Sequence, residues 1–572
     1  MKKMDKTKND WVYFENLSEL LRNSAEKFDS KTGFFVPGGI SYTYGETDQL
    51  ASKVATMLYG AGVAQGDRIA IISENSPHWV ASYFGISRAG GIVTPVLTDF
   101  SAHEMRSILT HAEVSIVFIS SKQMNKFNGG FPETVRQFVT IEDLVMHDRD
   151  DFERVSERAP GQLVKIETEE AEPGTDRFPS ADKDDTAVII YTSGTTGSSK
   201  GVMLSHDNLI FNAVKTASIH VVVESDVFIS ILPLAHTYEC TIGMLIPVLN
   251  GASIHYIDRA PTASYLGPLL KEIRPTTMLT VPLIIEKIYR NKVKPSLTKS
   301  PVTRALLKFA PTRKLLYRAA GRKLMAFFGG RIRFFGVGGA ALAPDVEKFL
   351  LEARFPYAVG YGLTETSPML SGFGPSAARY RSVGKPIHGI EMKVDHPDPE
   401  TGEGEIVARG RNIMKGYYKN EAQTAEVFTE EGFFRTGDLG TIDSKGIFYI
   451  KGRSKNMILG PNGENIYPEE IESVINEQEF VADSLVMHVK GKLTALIHLN
   501  QEKVEEKFQH LLSSAHDRQK DIQQKAEELI EEMRSKVNQQ LGKNSRLQQT
   551  IFQKEPFEKT PTQKIKRFRY KD

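Results

Sequence analysis

A single cysteine, Cys240, occurs in 572 residues, so no intramolecular disulfide can form and the chain reads as one suited to a reducing cytoplasm. Nowhere does it approach the roughly 18 to 20 uninterrupted apolar residues of a membrane-spanning helix. The opening MKKMDKTKNDWVYFENL carries basic residues but no apolar run of signal-peptide length. Excess charge is also missing: 72 Lys and Arg balance 71 Asp and Glu, for a net charge of +1. That balance argues against whole-chain nucleic-acid binding, and 40% hydrophobic residues argue against disorder. Internal repeats and low-complexity tracts are absent as well. Function must therefore be sought in local patterns.

The chain is long enough for a large multi-layer core with an accessory domain. From about residue 67, short β-branched runs alternate with amphipathic helical patterns: DRIAIIS, PHWVASYFGISRAG, GIVTPVL, SAHEMRSILTHA and VSIVFIS. This order predicts parallel βαβ units. The rhythm resumes after residue 226 with VFISIL, a helical stretch near YECTIGMLIPVL, SIHYID, a helix before Pro275, TTMLTV, RIRFFGV and YAVGYG. Two α/β regions are expected to share one large unit. The polar stretch between them predicts a surface connection with a strand near LVKIET. Beyond about residue 455 come a short helix PEEIESVINEQ, strands ADSLVMHVKG and LTALIHLN, and a charged helical run over 502–541, which together predict a smaller α+β domain.

The densest chemistry lies in YTSGTTGSSKGVMLSH, residues 191–206, directly after the apolar run TAVII. Glycines 194, 197 and 201 let the backbone approach a ligand, and Thr192, Ser193, Thr195, Thr196, Ser198 and Ser199 supply hydroxyls. Lys200 adds positive charge. Such a loop suits phosphate oxygens, although a Ser/Thr/Gly surface loop is the plain alternative. It is not the usual nucleoside-triphosphatase loop, since Gly197 and Lys200 are separated and Gly201 follows the lysine.

Together with GYGLTETSP (360–368), RTGDLG (435–440) and KGRSKNMI (451–458), this loop makes nearly the whole chain resemble the adenylate-forming superfamily of acyl-CoA synthetases, carrier-protein adenylation domains and beetle luciferases. The resemblance implies a large N-terminal domain of mainly parallel sheets flanked by helices plus a small β subdomain (1–454). A smaller, mobile α+β C-terminal lid domain (455–572) is implied to follow. ATP would be bound by Thr192, Ser193, Gly194, Thr195, Thr196, Gly197 and Lys200. Tyr361 would stack on adenine, Gly362 would belong to the nucleotide site, Thr364 would contact the α-phosphate region, Asp438 would accept both ribose hydroxyls, and Arg453 would add a nucleotide contact. Glu365 and Thr192 would hold Mg2+, which prefers oxygen ligands and takes few from protein. VGGAA (337–341), with Gly338 and Gly339, resembles the wall beside the adenine and the acyl carbonyl, and His236 in LPLAHTYE resembles a position closing the acyl pocket. A histidine beside apolar segments also serves as a hydrogen-bonded structural residue. Cys240 reads as a small buried hydrophobe rather than a nucleophile.

In KTPTQKIKRF, Lys564 corresponds to the adenylating lysine, with Gln563 where the family commonly has Gly, and Lys455 corresponds to the hinge. Leu459 stands where some relatives carry a lysine, so no role is transferred to it. The implied activity is long-chain fatty acid–CoA ligation through acyl-AMP, with fatty acid and coenzyme A as partners and no nucleic acid. The alternatives are loading of a carrier protein's phosphopantetheine thiol, or ligation of another carboxylic acid. Residues 287–333 contain no Asp or Glu yet include Lys287, Arg290, Lys292, Lys294, Arg313, Lys314, Arg318, Arg322, Lys323, Arg331 and Arg333. RKLLYRAAGRKLMAFF reads as a basic amphipathic helix whose Leu, Met and Phe side chains enter an anionic membrane surface. Its alternatives are a helix packed on the enzyme or a CoA-phosphate patch.

Overall fold

Helix Pro77–Arg88 is buried along its whole length, the signature of a helix enclosed between layers rather than lying on a surface. The layers are two sheets of the computed structural model, which describes residues 14–158, 161–168, 181–193, 199–257, 259, 261–459, 465–508, 518–542, 545–560 and 564–570. One sheet runs in the order 416–417, 199–205, 186–193, 92–95, 68–72, 116–119, 137–140, 145–148. The other runs 385–386, 369–373, 357–362, 334–337, 277–280, 227–230, 253–256, 32–35, 41–43. Their centres are parallel, as the βαβ rhythm predicts, and the antiparallel pairs lie toward their edges. One apolar cluster joins Ile69 and Val188 of the first sheet, Trp79, Tyr83 and Phe84 of the enclosed helix, and Ile254 and Tyr256 of the second. Parallel strands demand such cover on both faces.

A four-stranded antiparallel sheet, 391–395, 404–409, 434–442 and 448–453, completes the large N-terminal domain. The smaller C-terminal domain carries strands Val481–Val489, Lys492–Leu499 and Gln549–Phe552 with helices Pro468–Asn476, Gln501–Phe508 and Arg518–Asn538. It has its own apolar cluster, including Ile471, Ile475, Ala495, Ile530 and Val537.

Three details depart from expectation. LVKIET forms no ladder; Val164 N–H donates to the Glu142 carbonyl at 2.9 Å, but Ile166 N–H donates to the Tyr42 hydroxyl at 2.8 Å and Lys165 Nζ to the Ser41 carbonyl at 2.7 Å, so side chains take over where a strand would continue its backbone pairs. The stretch YECTIGML, expected as an ordinary helix, is wound as a wider π-helix over Tyr238–Leu245. The basic segment does form a helix, Ala310–Phe327, but Leu324 is buried, and Leu316, Tyr317 and Met325 pack inward on the second core. Its apolar side thus faces the protein, leaving Leu315 outside.

Candidate active site

The phosphate-loop motif is built as a hairpin. Strand Thr186–Ser193 lies beside the parallel strand Ile92–Pro95 and turns back into Ser199–Ser205, pairing Thr192 with Lys200 and Ser193 with Ser199. Gly194, Thr195, Thr196, Gly197 and Ser198 lie outside the described residues. Ser205 then caps helix His206–Thr216 by accepting from the Asn208 N–H, which fixes the hairpin's base to the helix start.

Lys200 sits 5.0 Å from the centre of the Tyr417 ring, a favourable place for an ammonium. Burial and the Lys455 charge lower its pKa, while Glu365 and Glu426 oppose the shift. The Tyr417 hydroxyl donates to Glu365 Oε1 at 3.0 Å. Tyr417 reaches this position because strand Gly416–Tyr417 pairs with Val202 and Met203 at the sheet edge. The short helical turn Thr364–Thr366 that carries Glu365 is pinned from several sides: Asn412 Nδ2 donates to the carbonyls of Thr366 and Met369 at 2.9 and 3.0 Å, and Met414 N–H donates to the Glu365 carbonyl at 2.9 Å. Thr192 stands opposite Lys200 in the hairpin, and Lys200 feels the Glu365 charge. One carboxylate and one hydroxyl suit Mg2+, which leaves most of its coordination to phosphate and water. Among the described residues, no group of three or more His, Cys, Asp or Glu forms a self-sufficient metal cage.

Asp438 is 4% exposed. Its Oδ2 accepts from the Tyr361 hydroxyl at 2.7 Å, and its Oδ1 lies 2.8 Å from Arg453 Nε. Burial raises the Asp438 pKa, against the opposing pull of Arg453, Tyr361 and Lys564. The residue pair follows from register, since Asp438 stands opposite Arg453 on neighbouring strands. Gly437 adopts φ +71°, a conformation that glycine reaches without steric cost, and its carbonyl accepts from both N–H and Oγ of Ser454 at 2.9 and 3.1 Å. The turn containing Lys455 starts from this anchor, with the N–H groups of Asn456 and Met457 both closing on the Arg453 carbonyl at 3.0 Å.

Lys564 arrives from the small domain. Its N–H donates to Thr560 Oγ1 at 3.1 Å, its carbonyl accepts from Thr560 N–H at 2.7 Å, and Lys559 bridges to Ile565. These bonds fix the Lys564 backbone beside Thr560 and hold the lysine toward the large domain. Lys564 is solvent-exposed, with protein packed densely around it. Crowding and Arg453 push its pKa down; Asp438 and Glu365 hold it up. His236 is close enough to feel the lysine's charge, its pKa lowered to about 4 by burial and by Lys564, so it is neutral at physiological pH. Its Nδ1 accepts from Tyr238 N–H at 3.3 Å.

Strand Phe334–Val337 delivers Gly338 beside Tyr238, where any Cβ would lie 3.0 Å from the ring. Gly339 to Ala341, next in the chain, are exposed. Cys240 is buried, and that burial pushes its thiol up to about 12, as a packing residue would be. Lys564 thus comes within electrostatic reach of Glu365, Asp438, Arg453 and His236, and Glu365 in turn acts on Lys200. Sequence reasoning did not single out Tyr417, Tyr238 or Asn412; the repeated aromatics in KGYYK were the one visible signal.

A model described as AMP-binding enzyme matches residues 21–418. "Long-chain-fatty-acid--CoA ligase heimdall" of Drosophila melanogaster is 27% identical over 504 residues, spanning 81% of this chain and 73% of that protein. "Long chain acyl-CoA synthetase 6, peroxisomal" of Arabidopsis thaliana is 30% identical over 476 residues, spanning 78% and 66%. The structure of ATP-bound MatB from Rhodopseudomonas palustris shares the fold at a TM-score of 0.72 and 25% identity, covering 97% of this chain and 98% of that one. Among the described residues no helix is long and apolar enough to cross a membrane. The chain belongs to the AMP-binding enzyme family, the adenylate-forming enzymes that include the acid–CoA ligases.

Proposed function

We propose that the protein is a long-chain fatty acid–CoA ligase that works through acyl-AMP. The observation that carries this reading is the meeting of the small-domain Lys564 with Glu365, Asp438 and Arg453 of the large domain. A cation brought from a separate domain toward these carboxylates suits a reaction in which charge develops on a phosphate. The chain-length class is supported by the two acyl-CoA ligase relatives.

In the first half-reaction the acid's carboxylate oxygen attacks the α-phosphorus of ATP. The bond to the β-phosphate oxygen breaks, and pyrophosphate leaves with that electron pair. Lys564 and the phosphate hairpin with Lys200 offset the developing charge, Asp438 accepts from the ribose hydroxyls, and Thr364 lies beside the transferred phosphate. Tyr361 and Gly362 flank the adenine side, while Gly338, Gly339 and neutral His236 border the acyl carbonyl. Thr192 and Glu365 would hold Mg2+, which supplies charge neutralisation on the phosphates.

In the second half-reaction the CoA sulfur attacks the acyl carbonyl, AMP leaves, and the thiol proton passes to solvent. We place the boundary between domains 1–454 and 455–572, with Lys455 in the hinge turn. Withdrawal of Lys564 about that hinge would clear the path for the thiol.

A panel of carboxylic acids assayed with ATP and CoA, quantifying AMP and thioester together, tests the reading. Matched formation of both products, strongest with long-chain acids, is expected. Thioester formed only on a carrier protein's phosphopantetheine would reassign the acceptor, and a preference for short or aromatic acids would reassign the substrate.

A further inference from the structure

We propose that the outer face of helices Pro301–Leu306 and Ala310–Phe327 docks on an anionic lipid bilayer. The proposal goes beyond the ligase reading and does not depend on it.

Residues 287–333 contain no Asp or Glu, so every counter-charge must come from elsewhere in the fold. Four cations find one: Arg290 with Glu286 at 3.9 Å, Lys294 with Asp345 at 3.7 Å, Arg313 with Glu352 at 2.8 Å, and Arg333 with Asp226. These hold the segment against the large domain. Lys299, Arg304, Lys308, Arg318, Arg322 and Lys323 are exposed, and none makes an ion pair among the described residues.

The helix positions separate cleanly. Gly321 and Leu324 are buried and Leu316, Tyr317 and Met325 pack on the core, whereas Pro311, Leu315, Arg318, Arg322 and Ala326 are exposed at roughly four-residue spacing. Between the cations stand Val302, Phe309 and Leu315, exposed at 67%, 65% and 66%. Cations alone would suit any polyanion. Cations interleaved with bulky apolar tips suit a bilayer, where headgroup phosphates meet the charges and the tips enter the interface. Because most of the helix's apolar side is spent on the protein core, attachment must be chiefly electrostatic and therefore salt-sensitive.

The test is co-sedimentation of the full-length protein with phosphatidylcholine vesicles, with and without about 30% phosphatidylserine. Binding should require the anionic lipid and fall roughly tenfold or more when salt is raised from low to molar levels. The double variant Arg318→Glu, Arg322→Glu should lower partitioning at least about tenfold, with acyl-CoA formation from a water-soluble acid unchanged. Arg318→Gln with Arg322→Gln gives the milder loss should the reversal fail to fold. Phe309→Ser with Leu315→Ser should remove the residual binding at high salt. Absence of lipid-dependent binding at low salt, or binding insensitive to the charge variants, would overturn the proposal. Equal or tighter binding to a DNA oligonucleotide through the same arginines would overturn it too, reassigning the face to another polyanion.

Discussion

Replacing Asp438 by Asn keeps the side chain's shape and removes its charge. The carboxylate accepts from the Tyr361 hydroxyl at 2.7 Å and pairs with Arg453 Nε at 2.8 Å, while Lys564 adds a second nearby cation. The amide can turn its oxygen to Arg453 and offer its NH2 group to the Tyr361 oxygen, so neither neighbour is left without a hydrogen-bond partner. What disappears is the anion. The Arg453 side chain is 42% exposed, so water screens it, and the stability loss should be about 1 kcal/mol rather than the roughly 3–5 kcal/mol expected of a sealed pair. The ribose diol loses a charged acceptor worth about 1.5–3 kcal/mol, which corresponds to roughly a 10- to 150-fold rise in KM for ATP. The assay titrates ATP and 2′- or 3′-deoxy-ATP against both proteins. The native enzyme should discriminate strongly against the deoxy nucleotides and the variant weakly. Undiminished discrimination by Asp438→Asn would refute the ribose assignment, and a collapsed melting temperature with unchanged KM would make Asp438 purely structural.

Other perturbations separate the parts of the site. Lys455→Pro should spare acyl-adenylate formation, followed by pyrophosphate exchange, yet stop thioester production; equal loss of both half-reactions would remove the hinge assignment. Thr560→Ala deletes the acceptor for the Lys564 N–H and should slow adenylation about tenfold, roughly the worth of one hydrogen bond, while leaving thioester formation from added acyl-AMP intact. Since crowding and Arg453 lower the Lys564 pKa, adenylation should decline on the alkaline side before an ordinary lysine would titrate, and Lys564→Arg should move any residual activity's decline to higher pH. His78, His206, His220, His236 and His255 all have their pKa lowered to about 4, principally by burial. The unfolded chain binds more protons than the native one below about pH 6.5, so stability should be complete above that value and fall as pH drops toward 4. His78→Gln should flatten the chemical-denaturation midpoint's pH dependence over that window.

The α/β architecture was legible because buried parallel strands must be apolar throughout: DRIAIIS, VSIVFIS and TTMLTV each contain a strand, Arg68–Ile72, Ile116–Ile119 and Thr277–Thr280. LVKIET misled because its alternation serves contacts with Tyr42 and Ser41 from another segment. Periodicity identified Ala310–Phe327 as a helix but could not say whether its apolar side faced lipid or protein, a question decided by the core supplied by Phe349 and its neighbours. Motif order pointed to Glu365, Asp438 and Lys564 because each lies in a short local string. Tyr417, Asn412 and Tyr238 escaped because their partners are remote: Tyr417 meets Glu365 across 52 residues of chain and Asn412 reaches Thr366 across 46. Such pairings belong to the fold and carry no local spacing.

The most direct measurement compares the two half-reactions in Lys564→Ala and the native protein, using acid-dependent exchange of pyrophosphate into ATP and thioester formation from synthetic acyl-AMP with CoA. Loss of the charge at the α-phosphate should reduce exchange by about 10²- to 10³-fold, with thioester formation within roughly threefold of native, since that step proceeds with the lysine withdrawn. Exchange that persists at the native rate, or a parallel loss of both reactions, would contradict the account.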